Sequence, residues 1–356
     1  MFVGFNSSAL TIIPESKGTT YDNAQTITQL DKNHFAVGKW DGTIQIIKST
    51  PKSKPPYAPT VIQTISLNNG VQMLANLDLD NGIFISSNGN DSLIIWHKNS
   101  RNKYESSSEV RYDDYAPDAG IANSGTSVFY NGTHYFISGH ENGYIIIWQF
   151  TEKNILKYIK TVDIQSKTPI SNPYNLKNIR GLSPWRDGMF VTGSEDGDLV
   201  LLNIRGETLY RTRYNSTAQM GINQTAILGD YLLVANCESG MDDKNLWLYH
   251  LTNKKIDFLD SLNLKSNKSL LQVFNFSVAM GEQRKQTLFF ASTQEGIIWY
   301  GFISNNKLKV DGQIKNPSPL GSALYYNSID KTLILSQYYT QVFEISLAQQ
   351  AENKTD

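Results

Sequence analysis

The residues of this chain that could carry chemistry are five histidines, one cysteine and a few carboxylates. His34, His97, His134, His140 and His250 could ligate a metal or move protons, and Cys237 could serve as a nucleophile. Asp113-Asp114, Asp242-Asp243 and the lone Glu195 could pair as general acid and base. Their spacing supports none of these uses. No HExxH segment or close histidine pair is present, so no metal site is expected. Nothing near Cys237 supplies the base or cation that would turn its thiol into a thiolate. A Walker loop, a dinucleotide fingerprint and a Gly-x-Ser-x-Gly elbow are all missing, and no cofactor is called for. The Asp-Gly pairs at 41–42 and 196–197 have a backbone use instead, because both residues favour the φ values of tight hairpins.

What would position any site is a repeat. An apolar run, a tight polar turn and a second apolar run recur at His34–Ile47, Ile83–Trp96, Tyr135–Trp148, Met189–Leu202, Leu232–Tyr249 and Leu288–Ile303, with a weaker copy at Thr332–Leu347. The turns fall at Asp41, Asn90, Asn142, Asp196, Asp243 and Glu295, about 50 residues apart, as in a propeller array. Within this register His34 and His134 take equivalent places before second strands, and Cys237 aligns with Ser194, so repetition accounts for them. Each unit divides into four short strands; in the first they are 24–30, 34–39, 43–48 and 60–67. Second and third strands such as Ile145-Ile-Ile-Trp148 are apolar on both faces, which fits a sheet covered on both sides. Helical periodicity is absent from nearly all of the chain.

The seventh unit stops after three strands, while an unassigned strand, Ser8–Glu15, precedes the first complete unit. Pairing the two would close the ring and remove an open sheet edge. The expected architecture is therefore all-β: a seven-bladed β-propeller of four-stranded antiparallel blades, with residues 1–15 completing the last blade. It forms one domain over 1–348, followed by a polar tail at 349–356. A chain of 356 residues has length enough for two ordinary domains, but a repeat that fills the chain shares one core. Area scaling leaves roughly 14,000 Å² exposed of about 58,000 Å² in the unfolded chain, so neither disulfides nor metal are needed.

Val37-Gly-Lys-Trp-Asp-Gly-Thr-Ile44, Ser138-Gly-His-Glu-Asn-Gly143 and Thr192-Gly-Ser-Glu-Asp-Gly-Asp-Leu199 resemble the turn between second and third strands in the WD40 family of propellers. The family's turn aspartate falls on Asp41, Asp196 and Asp243, with Asn90 and Asn142 in its place elsewhere. Its terminal tryptophan falls on Trp96 and Trp148, replaced by Ile47, Leu202 and Tyr249 in other units. Departures are visible too: no Gly-His pair precedes a first strand, and Gly139-His140 ends a second strand instead. The resemblance then implies that the family's His–Asp–Ser–Trp hydrogen-bond network is missing, and that apolar packing does more of the holding.

Formal net charge is −1 and 18% of residues are charged, which supplies no basic field for nucleic acid. No apolar stretch approaches the roughly 20 residues of a membrane span. Met1–Leu10 has neither a basic n-region nor a continuous apolar h-region, so no secretory signal is expected, and with a single cysteine, which fits a reducing compartment, the expected location is cytoplasmic. Function is sought on the rim that carries the long fourth-to-first connections, Arg111–Gly120 and Val162–Arg180, and the lengthened turn 236–245. Trp40, Tyr112, Asp113, Asp114, Tyr115, His140, Tyr174, Met241 and Asp242 form the expected partner-binding set, with Tyr338 and Tyr339 on the same rim. The opposite rim holds the proline- and lysine-rich loop Lys48–Pro59 and the segment Lys98–Lys103. What the resemblance implies is a non-catalytic scaffold that recruits a protein or peptide, with Asp242 favouring a basic one. Two alternatives stay open: a small-molecule, glycan or enzymatic site in the central channel, and a secreted effector that engages host proteins.

Overall fold

The computed structural model describes residues 10–13, 24–48, 59–87, 89, 91–165, 177–214, 221–236, 244–266, 275–315, 323–336 and 340–347. Among the described residues the strands form seven four-stranded antiparallel sheets. The four strands described within each of 24–66, 73–111, 122–163, 179–213, 222–262 and 275–315 build one sheet whose strand order follows the chain. We call these blades 1 to 6 and their strands a to d, from the inside outward. Blade 7 takes Ala323–Asn327, Thr332–Ser336 and Thr340–Leu347 as its a to c strands. Its fourth strand is Leu10–Ile13, from the other end of the chain, with Leu10 opposite Leu347 and Ile13 opposite Glu344. Neighbouring a strands touch all the way round, blade 7 meeting blade 1.

The burial pattern explains why these residues make strands. His34–Lys39 and Thr43–Lys48, strands b and c of blade 1, are almost wholly buried, as a strand with a blade on either face requires. Thr60–Ser66, strand d, alternates toward solvent. Clusters bridge adjacent blades: Ile85, Ile95, Phe136, Ile146 and Trp148 pack between blades 2 and 3, and Phe35, Val37 and Ile47 meet Ile334 between blades 1 and 7. Each such side chain, fully buried, stabilises the fold by about 2 kcal/mol.

Two recurrent bulges shape the blades. In blades 1, 3, 4, 5 and 6 the a–b register shifts just after the start of strand a, between Ala24/Thr26, Ala122/Ser124, Ile179/Gly181, Ile222/Gln224 and Asn275/Ser277. A second shift in the c–d pairs of blades 1 to 6 lies at or just before the end-of-strand aromatic position, as at Ile95/Trp96 and Ile147/Trp148. A bulge increases local twist, which a blade needs to turn between the channel and the outer wall. The b–c turns repeat as well. Gly42, Gly143 and Gly197 adopt φ of 84°, 81° and 85°, and their carbonyls accept the N–H of Leu67, Ile164 and Tyr214 at 2.8, 3.0 and 3.0 Å. At Gly42 a Cβ would sit 2.6 Å from the Leu67 oxygen, so glycine is required by space and by φ.

Polar side chains stitch every junction near the channel. Thr26 Oγ1 accepts from Leu74 N at 3.0 Å, Ser87 Oγ donates to Ala122 O at 2.8 Å, and Ser124 Oγ donates to Ile179 O at 2.5 Å. Ser183 and Thr225 share a hydroxyl bond of 2.8 Å. Gln224 Oε1 accepts from Ser277 Oγ and Val278 N, at 2.6 and 2.7 Å. Ser277 Oγ accepts from Leu324 N at 3.0 Å, and Tyr325 Oη donates to Gln29 Oε1 at 2.8 Å, closing blade 7 on blade 1. Apolar packing is therefore not left to hold the blades by itself.

The missing network needs the same correction. In blade 3, Trp148 Nε1 donates to Ser138 Oγ at 3.2 Å, and Ser138 Oγ lies 2.8 Å from His140 Nε2. His140 Nδ1 is 3.0 Å from Gly120 O. A carbonyl only accepts, so Nδ1 carries the proton, and every member donates to the next: Trp148, Ser138, His140, Gly120. The histidine arrives from the end of strand b rather than from the preceding loop. Blade 2 keeps the shorter pair, Trp96 Nε1 to Ser86 Oγ at 2.9 Å, and in blade 5 Tyr249 Oη donates to Tyr214 O at 2.8 Å instead.

Candidate functional site at the channel mouth

The inner strands enclose a central channel of about 810 Å³. Its lining is mostly neutral: Thr26, Gln29, Gln72, Asn76, Asn123, Thr126, Asn223 and Gln224 among apolar residues such as Met73, Leu182, Phe276 and Leu324. The a-strand bulges decide what faces the mouth. Asn123, Arg180, Asn223 and Phe276 are the extra residues of blades 3 to 6, and all four line the channel. Bulges re-aim a side chain in this way where a site is built. Trp40, at the tip of a b–c turn, lines the same space and is 56% exposed.

Among the described residues, Arg180 and Glu195 are the only charged ones in that lining. Arg180 Nε meets Glu195 Oε1 at 2.6 Å, its side chain 45% exposed against 3% for the glutamate. Asn178 Nδ2 donates to Glu195 Oε2 at 2.5 Å, and Asn123 Nδ2 donates to Asn178 Oδ1 at 3.2 Å. Both carboxylate oxygens are thus occupied, and the guanidinium is the charge left facing the opening.

The expected binding set divides. Trp40 belongs to the mouth. Tyr115 lies against the outer part of blade 3, stacked on Tyr158 at 4.6 Å and 12° and edge-on to Trp148 at 5.5 Å. Asp113 and Asp114 sit at the surface beside it in the 3-10 turn Tyr112–Asp114, the one helical turn among the described residues. Partial burial, then the neighbouring Asp91 carboxylate, hold the Asp113 carboxyl above its usual value. Tyr112 and His140 are corrections: both are fully buried and cannot meet a partner as the structure stands. The 3-10 turn folds Tyr112 beneath its own loop, where its ring sits 4.8 Å from His140 and its oxygen 3.4 Å from Ala122 N. Burial drives the Tyr112 hydroxyl up to about 12 and His140 down to about 4. Tyr174, Met241 and Asp242 lie outside the described residues, as do Cys237, Asn90, Asp243, Tyr338, Tyr339, most of Lys48–Pro59 and the tail 349–356.

The other histidines have local partners. His34 Nδ1 lies 2.8 Å from Asp31, while His97 and His134 sit 3.4 and 3.8 Å from Glu105 and Asp78. His250 packs its ring against Tyr231. Among the described residues no three of His, Cys, Asp and Glu gather as a metal would require, and no helix is long and apolar enough to cross a membrane.

Solved structures share this architecture. The β-propeller domain of Cps50 (Swd1) from Myceliophteria thermophila superposes with a TM-score of 0.67 at 12% identity, covering 95% of this chain and all of that one. The WD40 β-propeller domain of Doa1 gives 0.63 at 11% identity, over 98% of this chain and 99% of that one. The fold is a WD40-type β-propeller. At these identities the likeness establishes the fold alone. No protein-family model matches the chain, and no curated protein matches its sequence. Within the WD40-type ring, Arg180, Asn123, Asn223 and Phe276 went unseen in the sequence, because a bulge leaves no mark in apolar periodicity.

Proposed function

We propose that this propeller is a non-catalytic interaction module that binds a protein or peptide at the channel mouth. The observation that carries the reading is Trp40: a large aromatic left more than half exposed beside a preformed polar opening. Aromatic anchors at the edge of a pocket contribute most to such contacts, because they bury much area at little entropic cost. A rigid ring stitched at each junction also spares the partner the cost of ordering the site. The WD40-type fold supports a scaffold at this general level. Glu195 favours binding over catalysis, since an acid with both oxygens engaged offers no free general base.

The test is Trp40→Ala, with binding of peptides selected on the intact chain measured by calorimetry. Affinity should fall about tenfold or more while the unfolding temperature stays unchanged. Unchanged affinity would place the site elsewhere. The channel's volume and amide lining favour a second reading, a small polar ligand. On that reading a soluble metabolite or sugar stabilises the protein against heat, and Trp40→Ala leaves peptide binding untouched.

A further inference from the structure

We infer that the channel mouth reads a carboxylate of its bound peptide, an aspartate or glutamate side chain, through the guanidinium of Arg180. The inference rests on the proposed binding role of the mouth and names the chemistry it recognises.

Of the described lining residues, only Arg180 and Glu195 are charged, and they are not equivalent. The glutamate is buried and spent: one oxygen faces Arg180 Nε, the other accepts from Asn178. Arg180 is nearly half exposed, and no acid of the described residues other than Glu195 lies within ion-pair distance of it. The pair is neutral overall, but its positive end points toward the opening. A ligand arriving at the mouth therefore meets a cation, and a basic side chain would meet like charge with no acid among the described lining residues left to receive it.

Orientation is fixed from behind. Asn123 holds Asn178, Asn178 holds Glu195, and Glu195 holds the Nε edge of the guanidinium. That arrangement leaves the end of the fork, Nη1 and Nη2, for a planar partner with two acceptors, which a carboxylate is. Lysine would not do the same work, because an ammonium has no fork to orient. The surroundings fit as well. The Asn123 amide, which gives one N–H to Asn178, can donate the other to a carboxylate's remaining lone pairs, while Trp40 and Phe276 supply apolar wall that thins the water around the pair. The a-strand bulge at Ile179/Gly181 explains why the side chain reaches the mouth at all.

The experiment is a phage-displayed random dodecapeptide library panned on the full chain, with synthetic versions of the winners. Selected peptides should share an Asp or Glu, and changing that acid to its amide should weaken binding about tenfold or more. Arg180→Gln should bind acid and amide peptides equally. Because that change takes the Arg180 countercharge away from the buried Glu195, the double variant Arg180→Gln/Glu195→Gln, neutral at both positions, serves as the folded control. Arg180→Lys should lose most of the preference although its charge remains. Peptides that depend on Trp40 but show no acid preference would overturn this inference and leave the proposed function standing. So would an acid preference that survives in the double variant. Peptides indifferent to Trp40, or no selected peptide at all, would remove both.

Discussion

His140 shows how one side chain can be misread from its neighbours in sequence. Gly139-His140 sits in a polar turn region, which suggests a surface residue, yet the imidazole is the third member of a buried donor chain running from Trp148 to Gly120. The Nε2 lone pair is used by Ser138, so a proton there breaks a bond as well as charging a buried ring. This gives a pH prediction. The folded value is depressed to about 4 from an ordinary 6.5. The unfolded chain then binds the proton more readily, and stability present above pH 6.5 is lost as pH falls toward 4, by up to about 3 kcal/mol. Urea titrations across that window should show the decline in the native protein and a flatter profile in His140→Gln. Equal slopes in the two proteins would mean the ring is not held neutral. Tyr112 was misread for the same reason: polar neighbours hide that the loop packs on its own tyrosine.

At the scale of strands and turns much was legible. The four-strand period, the Gly-marked b–c turns and the doubly buried b and c strands follow from apolar runs and turn chemistry, which local sequence encodes directly. Bulges were not legible, because an inserted residue alters register without altering the pattern of residue types around it. The inner-ring stitches were hidden too, since Ser124 and Ile179 or Gln224 and Ser277 are far apart in the chain. The N-terminal strand has its own consequence. Leu10–Ile13 covers the edge of Thr340–Leu347, so deleting residues 1–15 exposes a row of unpaired backbone groups. The truncated protein should unfold at a lower temperature, by about 1–2 °C per kcal/mol lost for a chain of this length, and associate with rising concentration. Calorimetry and light scattering would check both, and a truncation as stable and monomeric as the full chain would show the pairing to be dispensable.

Taken as a molecule, the chain spends its sequence on a closed ring and concentrates its distinctive polar groups at one opening. The outer wall keeps exposed apolar residues on its d strands, such as Val310 and Phe258, the latter resting against Trp247 and Tyr249 of its own blade. The mouth instead gathers an exposed tryptophan and four re-aimed bulge residues, one of them the braced Arg180. The most direct measurement is photo-crosslinking with benzoylphenylalanine placed at position 40 or, as a control, at position 258, in extract of the source cell. Placement at 40 should yield a discrete crosslinked partner that excess selected peptide displaces, and placement at 258 should yield none. A partner captured at 258 and not at 40 would contradict the assignment of the binding surface to the channel mouth.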